Sequence, residues 1–193
     1  MARNNTYFGE TKEARLKRFR DNSPEEIIEN LLASIQNYFN NEIKATLKDP
    51  DNPQTLLMLL GIHSVALTIS HGFFNKEGEK GYRKFLLTYM DGDSSDLKFS
   101  IIAKELHAWR NVIAHRWLNI LGHEIGYDYE MSEGWKKVEG VIYINPKIYL
   151  QQYLRSFNSK EGGILYKYSN ILNSEAKLSA AKERFLSKYE EQL

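Results

Sequence analysis

The sequence predicts an all-α protein, an antiparallel helical bundle with one small β-hairpin inserted around 126–144. Three observations carry that prediction. Residues 24–47 and 53–74 repeat apolar side chains at helical spacing. A third helical stretch, from about Asp96 to Leu118, contains the segment ELHAWRNVIAHRW. Only between 126 and 144 does the apolar period shorten to that of strands.

The first long helix begins at Ser23-Pro24-Glu25-Glu26, where Ser23 suits the N-cap, Pro24 the first turn and Glu26 the reciprocal capping-box bond. Ile27, Ile28, Leu31, Leu32, Ile35, Tyr38, Phe39 and Ile43 then form one apolar stripe. Pro50 and Pro53 force a connection, and Asn52 can cap the next helix, Pro53 to about Phe74. Leu56, Leu57, Leu59, Leu60, Ile62, Val65, Leu67 and Ile69 surround that helix, so it is expected to lie centrally. Its apolar run, Leu56–Ile69, is broken by Gly61, His63, Ser64 and Thr68 and reads as too short and too polar for a membrane span. His63 and His71 on this helix are expected to be packed, hydrogen-bonded or rim histidines, because no carboxylate shares their face at ligand spacing.

NKEGEKG at 75–81 reads as a loop, followed by a short helix over Tyr82–Met90. DGDSSD at 91–96 has a calcium-like D-x-D start but lacks the rest of a twelve-residue loop, so it reads as a turn with Ser94 or Ser95 capping the next helix. Beyond LGHEIG, Tyr127, Tyr129 and Met131 alternate, SEGWKKVEG intervenes, and Val141–Ile144 supplies a β-branched run. The aromatics Tyr127, Tyr129, Trp135 and Tyr143 are expected to cover the bundle end rather than stack bases. Asn145-Pro146 caps a helix over 146–157, and an amphipathic helix over Ser174–Tyr189 closes the chain. The whole reads as a single domain over 1–193: a basic arm over 1–22, the bundle with its hairpin over 24–157, and a helical extension over 158–193.

The 193 residues, 42% apolar and 26% charged, are enough for a full core. A net charge of +1 gives no global case for nucleic-acid binding. The arm does hold Lys12, Arg15, Lys17, Arg18 and Arg20, expected to be a solvated terminus that could contact phosphates. There is no cysteine, which excludes disulfides and thiol catalysis and fits a cytoplasmic setting. The polar N-terminus lacks the apolar run of a signal peptide, and no membrane association is expected. No Walker loop or dinucleotide fingerprint occurs, and His123-Glu124 lacks the second histidine of a zinc-protease helix.

Chemistry concentrates in the 96–118 helix. His107, Asn111 and His115 follow one another at intervals of four, on one face. Arg110 stands about 140° around from His115. The two could converge on one ligand, or across a two-fold interface that brings two copies of the helix together. Arginine is a permanent bidentate donor for phosphate, and histidine moves protons near neutrality. RNA carries its own nucleophile, so such a set suits phosphodiester cleavage without metal or other cofactor. In the bland alternative, Arg110 pairs with Glu105, His115 caps the helix C-terminus, and Trp109 and Trp117 are packing aromatics.

RNVIAH, Arg110 to His115, resembles the R-N-x-x-x-H form of the R-x(4–6)-H motif of the HEPN superfamily. The resemblance implies a helical, often dimeric domain over 24–157, of a kind that includes metal-independent endoribonucleases of toxin and defence systems. Arg110 would then bind the scissile phosphate, His115 act as general acid/base, and Asn111 be the adjacent polar residue. His107 and Arg116 would be substrate contacts. An antitoxin or regulatory protein is the expected partner beside RNA and a second copy of the chain. Trp117 stands where the toxin branch silenced by a nucleotidyltransferase has its modified tyrosine, so that mode of regulation is not expected. The competing class is a noncatalytic helical module binding nucleotides, RNA or a protein partner through the same surface.

Overall fold

The computed structural model describes residues 11–51, 53–115, 125–158 and 163–191. Helix α1, Lys12–Asp21, is capped by Thr11, whose hydroxyl accepts from the Ala14 amide. Residues 12–21 of the expected basic arm are therefore helical. They are also docked: Lys182 Nζ donates to the carbonyls of Arg20 and Asn22 at 2.8 and 2.7 Å, and Arg20 pairs with Glu190 at 2.7 Å.

Helix α2, Pro24–Ser34, starts with both bonds of the expected capping box. It runs through a π-helical turn, Ile35–Phe39, into α3, Asn40–Ala45. That turn corrects the expected stripe. A π turn holds more residues than an α turn, so the inward face slips by part of a turn. Tyr38 and Phe39 end up 56% and 53% exposed, and Asn40 is buried in their stead. Its amide is used on both sides, accepting from the Tyr153 hydroxyl at 2.7 Å and donating to Gln36 Oε1 at 2.8 Å.

Helix α4, Thr55–Phe74, begins two residues after Pro53; Asn52 lies outside the described residues. At 20 residues it is longer than the apolar run that defined it, and it is long and apolar enough to cross a membrane. More than half of it is buried within the fold instead, with α3, α5, α6, α7 and α9 packed around it. Asn75, at φ 52°, ends it in the left-handed conformation that stops a helix. Helix α5, Gly78–Phe85, starts four residues earlier than expected and passes into a second π turn, Leu86–Met90.

Two 3₁₀ turns, Ser95–Leu97 and Phe99–Ile102, replace the first turns of the expected 96–118 helix. Asp91 anchors them by accepting from both the amide and the hydroxyl of Ser100. Helix α6, Ala103–His115, follows; residues 116–118 lie outside the described part.

The small sheet has the order β1-β3-β2. Its hairpin joins β2, Trp135–Val138, to β3, Val141–Ile144, through Glu139-Gly140, both at positive φ as a tight two-residue turn requires. The expected pairing of Tyr127–Met131 with Val141–Ile144 is thus corrected. WKKV forms the antiparallel partner, while β1, Ile125–Tyr127, lies parallel to β3 on its other side. Asn145 then caps α7, Pro146–Asn158, accepting from the Lys147 and Ile148 amides.

The expected helical extension holds two helices, α8, Ile164–Ile171, which the sequence does not single out, and α9, Glu175–Glu191, which it does. Ile164, Leu172, Ala181 and Phe185 from this C-terminal part join one hydrophobic cluster with Ile28 and Leu32 of α2, Ile62 and Ile69 of α4, Phe85 of α5 and Phe157 of α7. The described residues are mostly helical, with one small sheet among them.

The contact between α4 and α9 depends on a missing side chain. A Cβ at Gly72 would stand 1.9 Å from the ring of Phe185, and the Gly72 carbonyl accepts two bonds from the Arg184 guanidinium. Gly72→Ala should therefore lower stability by about 1–3 kcal/mol through overpacking. Urea unfolding checks this, and Phe185→Leu should recover part of the loss by making room.

Candidate functional site

The polar groups of the central helices meet at one place. His63 of α4 is 1% exposed, and its Nε2 lies 3.0 Å from Nδ1 of half-buried His107 on α6. The Tyr82 ring of α5 packs against the His63 ring, with centroids 4.2 Å apart. The Tyr82 hydroxyl is hydrogen-bonded to that of Tyr149 on α7. Three helices thus meet at one imidazole pair, and α7 is joined to it through Tyr82.

One turn along α6, Arg110 Nη1 donates to Asn111 Oδ1 at 2.9 Å, and both side chains are half-buried. The bland alternative for Arg110 is corrected here. Its partner is Asn111, and Glu105 is exposed. Trp109 is buried and packs on Tyr127, as expected of a packing aromatic. Three buried atoms of these residues have no hydrogen-bond partner: Arg110 Nε, His63 Nδ1 and Trp109 Nε1.

The electrostatics follow from burial beside a cation. Desolvation, the neighbouring His107 and the Arg110 charge together lower the His63 pKa to about 3. Desolvation and Arg110 also lower that of His107, with Glu79 of α5 acting in the opposite direction. Burial raises the Tyr82 and Tyr149 hydroxyls above their ordinary value. The site at neutral pH is a neutral imidazole pair beside one fixed positive charge.

Of the residues singled out by sequence, the structure brings Arg110, Asn111 and His107 together. His115 lies in the last described turn of the same helix, while Arg116, Trp117, His123 and Glu124 fall outside the described residues. His71 faces the Glu77 carboxylate at 3.0 Å near the end of α4 and takes no part. His63 is packed and hydrogen-bonded, as expected, but its partner was not legible. Its only signal is a histidine within the apolar run of a mostly apolar helix. The carboxylates of DGDSSD serve the local fold, Asp91 through Ser100 and Asp96 through the Gly134 amide at 3.3 Å. Among the described residues, no group of three or more His, Asp or Glu side chains could hold a metal ion. Comparison with protein-family models, curated proteins and solved structures gave no match.

The His63 shift makes stability depend on pH. The folded chain keeps His63 neutral down to about pH 3, whereas the unfolded chain protonates it near 6.5. Across that window the unfolded state binds the extra proton, so stability falls as pH falls. From about pH 7.5 to about pH 5, this one group should remove about 2 kcal/mol. Denaturant unfolding at both pH values, in wild type and His63→Leu, measures it: the variant should lose that share of the slope. Equal slopes would exclude His63 as the group responsible.

Proposed function

We propose that this chain is a HEPN-like, metal-independent endoribonuclease of toxin or defence type, working in the cytoplasm as a homodimer. The observation that supports it is the geometry around Arg110: a half-buried guanidinium steadied by Asn111, with an unpartnered Nε and a neutral imidazole one turn away. Such a guanidinium suits a phosphate whose charge grows in the transition state. His115, further along the same helix, is the proton-transfer group of this reading.

The reaction follows from RNA itself. The 2′-oxygen bonds to phosphorus as its proton passes to a base. The bond from phosphorus to the 5′-oxygen breaks, and an acid protonates that oxygen. The products are a 2′,3′-cyclic phosphate and a 5′-hydroxyl. No group outside the chain and the RNA is required. A two-fold pairing of α6 helices would put two histidines in one cleft, one as base and one as acid. An antitoxin or regulatory protein covering that cleft would control it.

One observation favours a noncatalytic binding module instead. His107 is tied to His63 and resists protonation, so it offers a hydrogen bond rather than a proton.

RNA cleavage by the purified protein in EDTA, beside Arg110→Ala and His115→Ala, decides between them. The nuclease should lose on the order of 10²-fold or more of its rate in each variant, with fold and oligomeric state unchanged. RNA binding without cleavage by wild type would establish the binding module. Cleavage surviving both substitutions would remove this site from consideration.

A further inference from the structure

We infer that His63 is a positioning residue that holds His107 as a neutral imidazole with its proton on Nε2, offered to a nonbridging oxygen of the phosphate that Arg110 anchors. The phosphate part rests on the functional reading above; the tautomer rests on the hydrogen bonding alone.

Two neutral imidazoles joined nitrogen to nitrogen must divide their roles, one donating and one accepting. If His63 Nε2 accepted, the His63 proton would sit on Nδ1, a buried N–H with no acceptor. If Nε2 donates, Nδ1 is left with a bare lone pair. A buried N–H without a partner is the rarer and costlier defect, so His63 donates. His107 Nδ1 then accepts, and the His107 proton must lie on Nε2. That nitrogen has no partner among the described residues and is not one of the buried unpartnered atoms, so it is open to a ligand.

The same arrangement opposes a charged His107. A second proton on Nδ1 would collide with the His63 N–H, and relief would require His63 to move its own proton to the partnerless Nδ1. The charged and titratable groups around His107 act along with this. Arg110 on α6 repels a proton, Glu79 on α5 attracts one, His63 on α4 is the bonded partner, and Tyr82 on α5 stays neutral. Strand β1 contributes Tyr127, which packs on Trp109 and not on His107. His107 and Arg110 lie three residues apart on one helix face, close enough for one phosphate to meet both. Arg110 would supply the charge, and His107 a directed donor that never competes for the substrate's protons.

The test is long-range ¹H–¹⁵N correlation on the full chain labelled with ¹⁵N-histidine, followed from pH 8 to pH 5. Wild-type His107 should show a bare Nδ1 and a protonated Nε2, and it should titrate below the ordinary 6.5. His63→Gln keeps an amide that can donate to Nδ1 and should preserve both features. His63→Leu removes the donor, so the His107 midpoint should rise towards 6.5 and its tautomers mix. A wild-type Nδ1–H tautomer overturns the inference without recourse to any variant. So does a His107 titration that is the same in folded His63→Leu, as judged by circular dichroism.

Inorganic phosphate is the ligand probe. It should shift the His107 Nε2 signal in wild type and His63→Gln, and not in Arg110→Ala. No shift in wild type overturns the phosphate assignment. A shift in a protein that cuts no RNA supports this inference while defeating the nuclease reading, so the two fail separately.

Discussion

Helix α4 has almost no polar face, and the fold is the consequence. Solvent reaches it mainly along Leu57, Ser64 and Thr68. Every other side must be covered, and α3, α5, α6, α7 and α9 do so. A helix enclosed this way can carry a histidine only if something inside the fold meets it, because a buried polar group left unpaired costs about 1–3 kcal/mol. His107 meets it. The requirement therefore reaches beyond packing: it sets which face of α6 turns inward, and so where Arg110 and Asn111 lie, one turn further along.

The same rule holds at three of the buried tyrosines. Tyr82, Tyr149 and Tyr153 are fully buried, and each hydroxyl has a partner: Tyr82 with Tyr149, and Tyr153 with Asn40. Asn40 reaches its tyrosine because the π turn at Ile35–Phe39 brings it inward, and Gln36 continues the chain of bonds to Asn158 at the end of α7. Apolar burial alone would allow these helices to slide or rotate against one another. Paired hydroxyls and amides allow one register, since any slip strands several polar groups at once. The wide turn, disfavoured in isolation, is retained because the buried asparagine depends on it.

Local signals were the legible part. The Ser23–Glu26 capping box and the Asn145 cap depend on neighbours within three residues, and both form as the sequence implies. The apolar girth of 53–74 marked the central helix for the same reason. What was not legible required knowledge of partners. Nothing in QNYFN announces a π turn; only Tyr153, more than a hundred residues away, gives Asn40 a reason to face inward. WKKV carries no clear strand signal because its lysines interrupt the apolar pattern, and it becomes a strand only when Glu139-Gly140 folds it back on β3. The basic arm reads as solvated because its role in the fold is to offer two carbonyls to Lys182. In the site, Arg110 and Asn111 were legible as neighbours on a helix. His63 was not, since its meaning lies on another helix 44 residues away.

That difference bears on what the cluster can do. Viewed alone, the motif helix offers several groups able to trade protons. Joined to α4, one of them, His107, is hydrogen-bonded to His63 and resists protonation. A guanidinium that cannot lose its charge beside an imidazole that resists gaining one leaves a local field favouring anions across the neutral range. Such a surface would suit an anion such as phosphate whether or not a bond is later broken there. On the proposed reading, binding and catalysis separate along the helix, with anion recognition at the Arg110–His107 end, beside the central helix, and proton movement further along, towards His115.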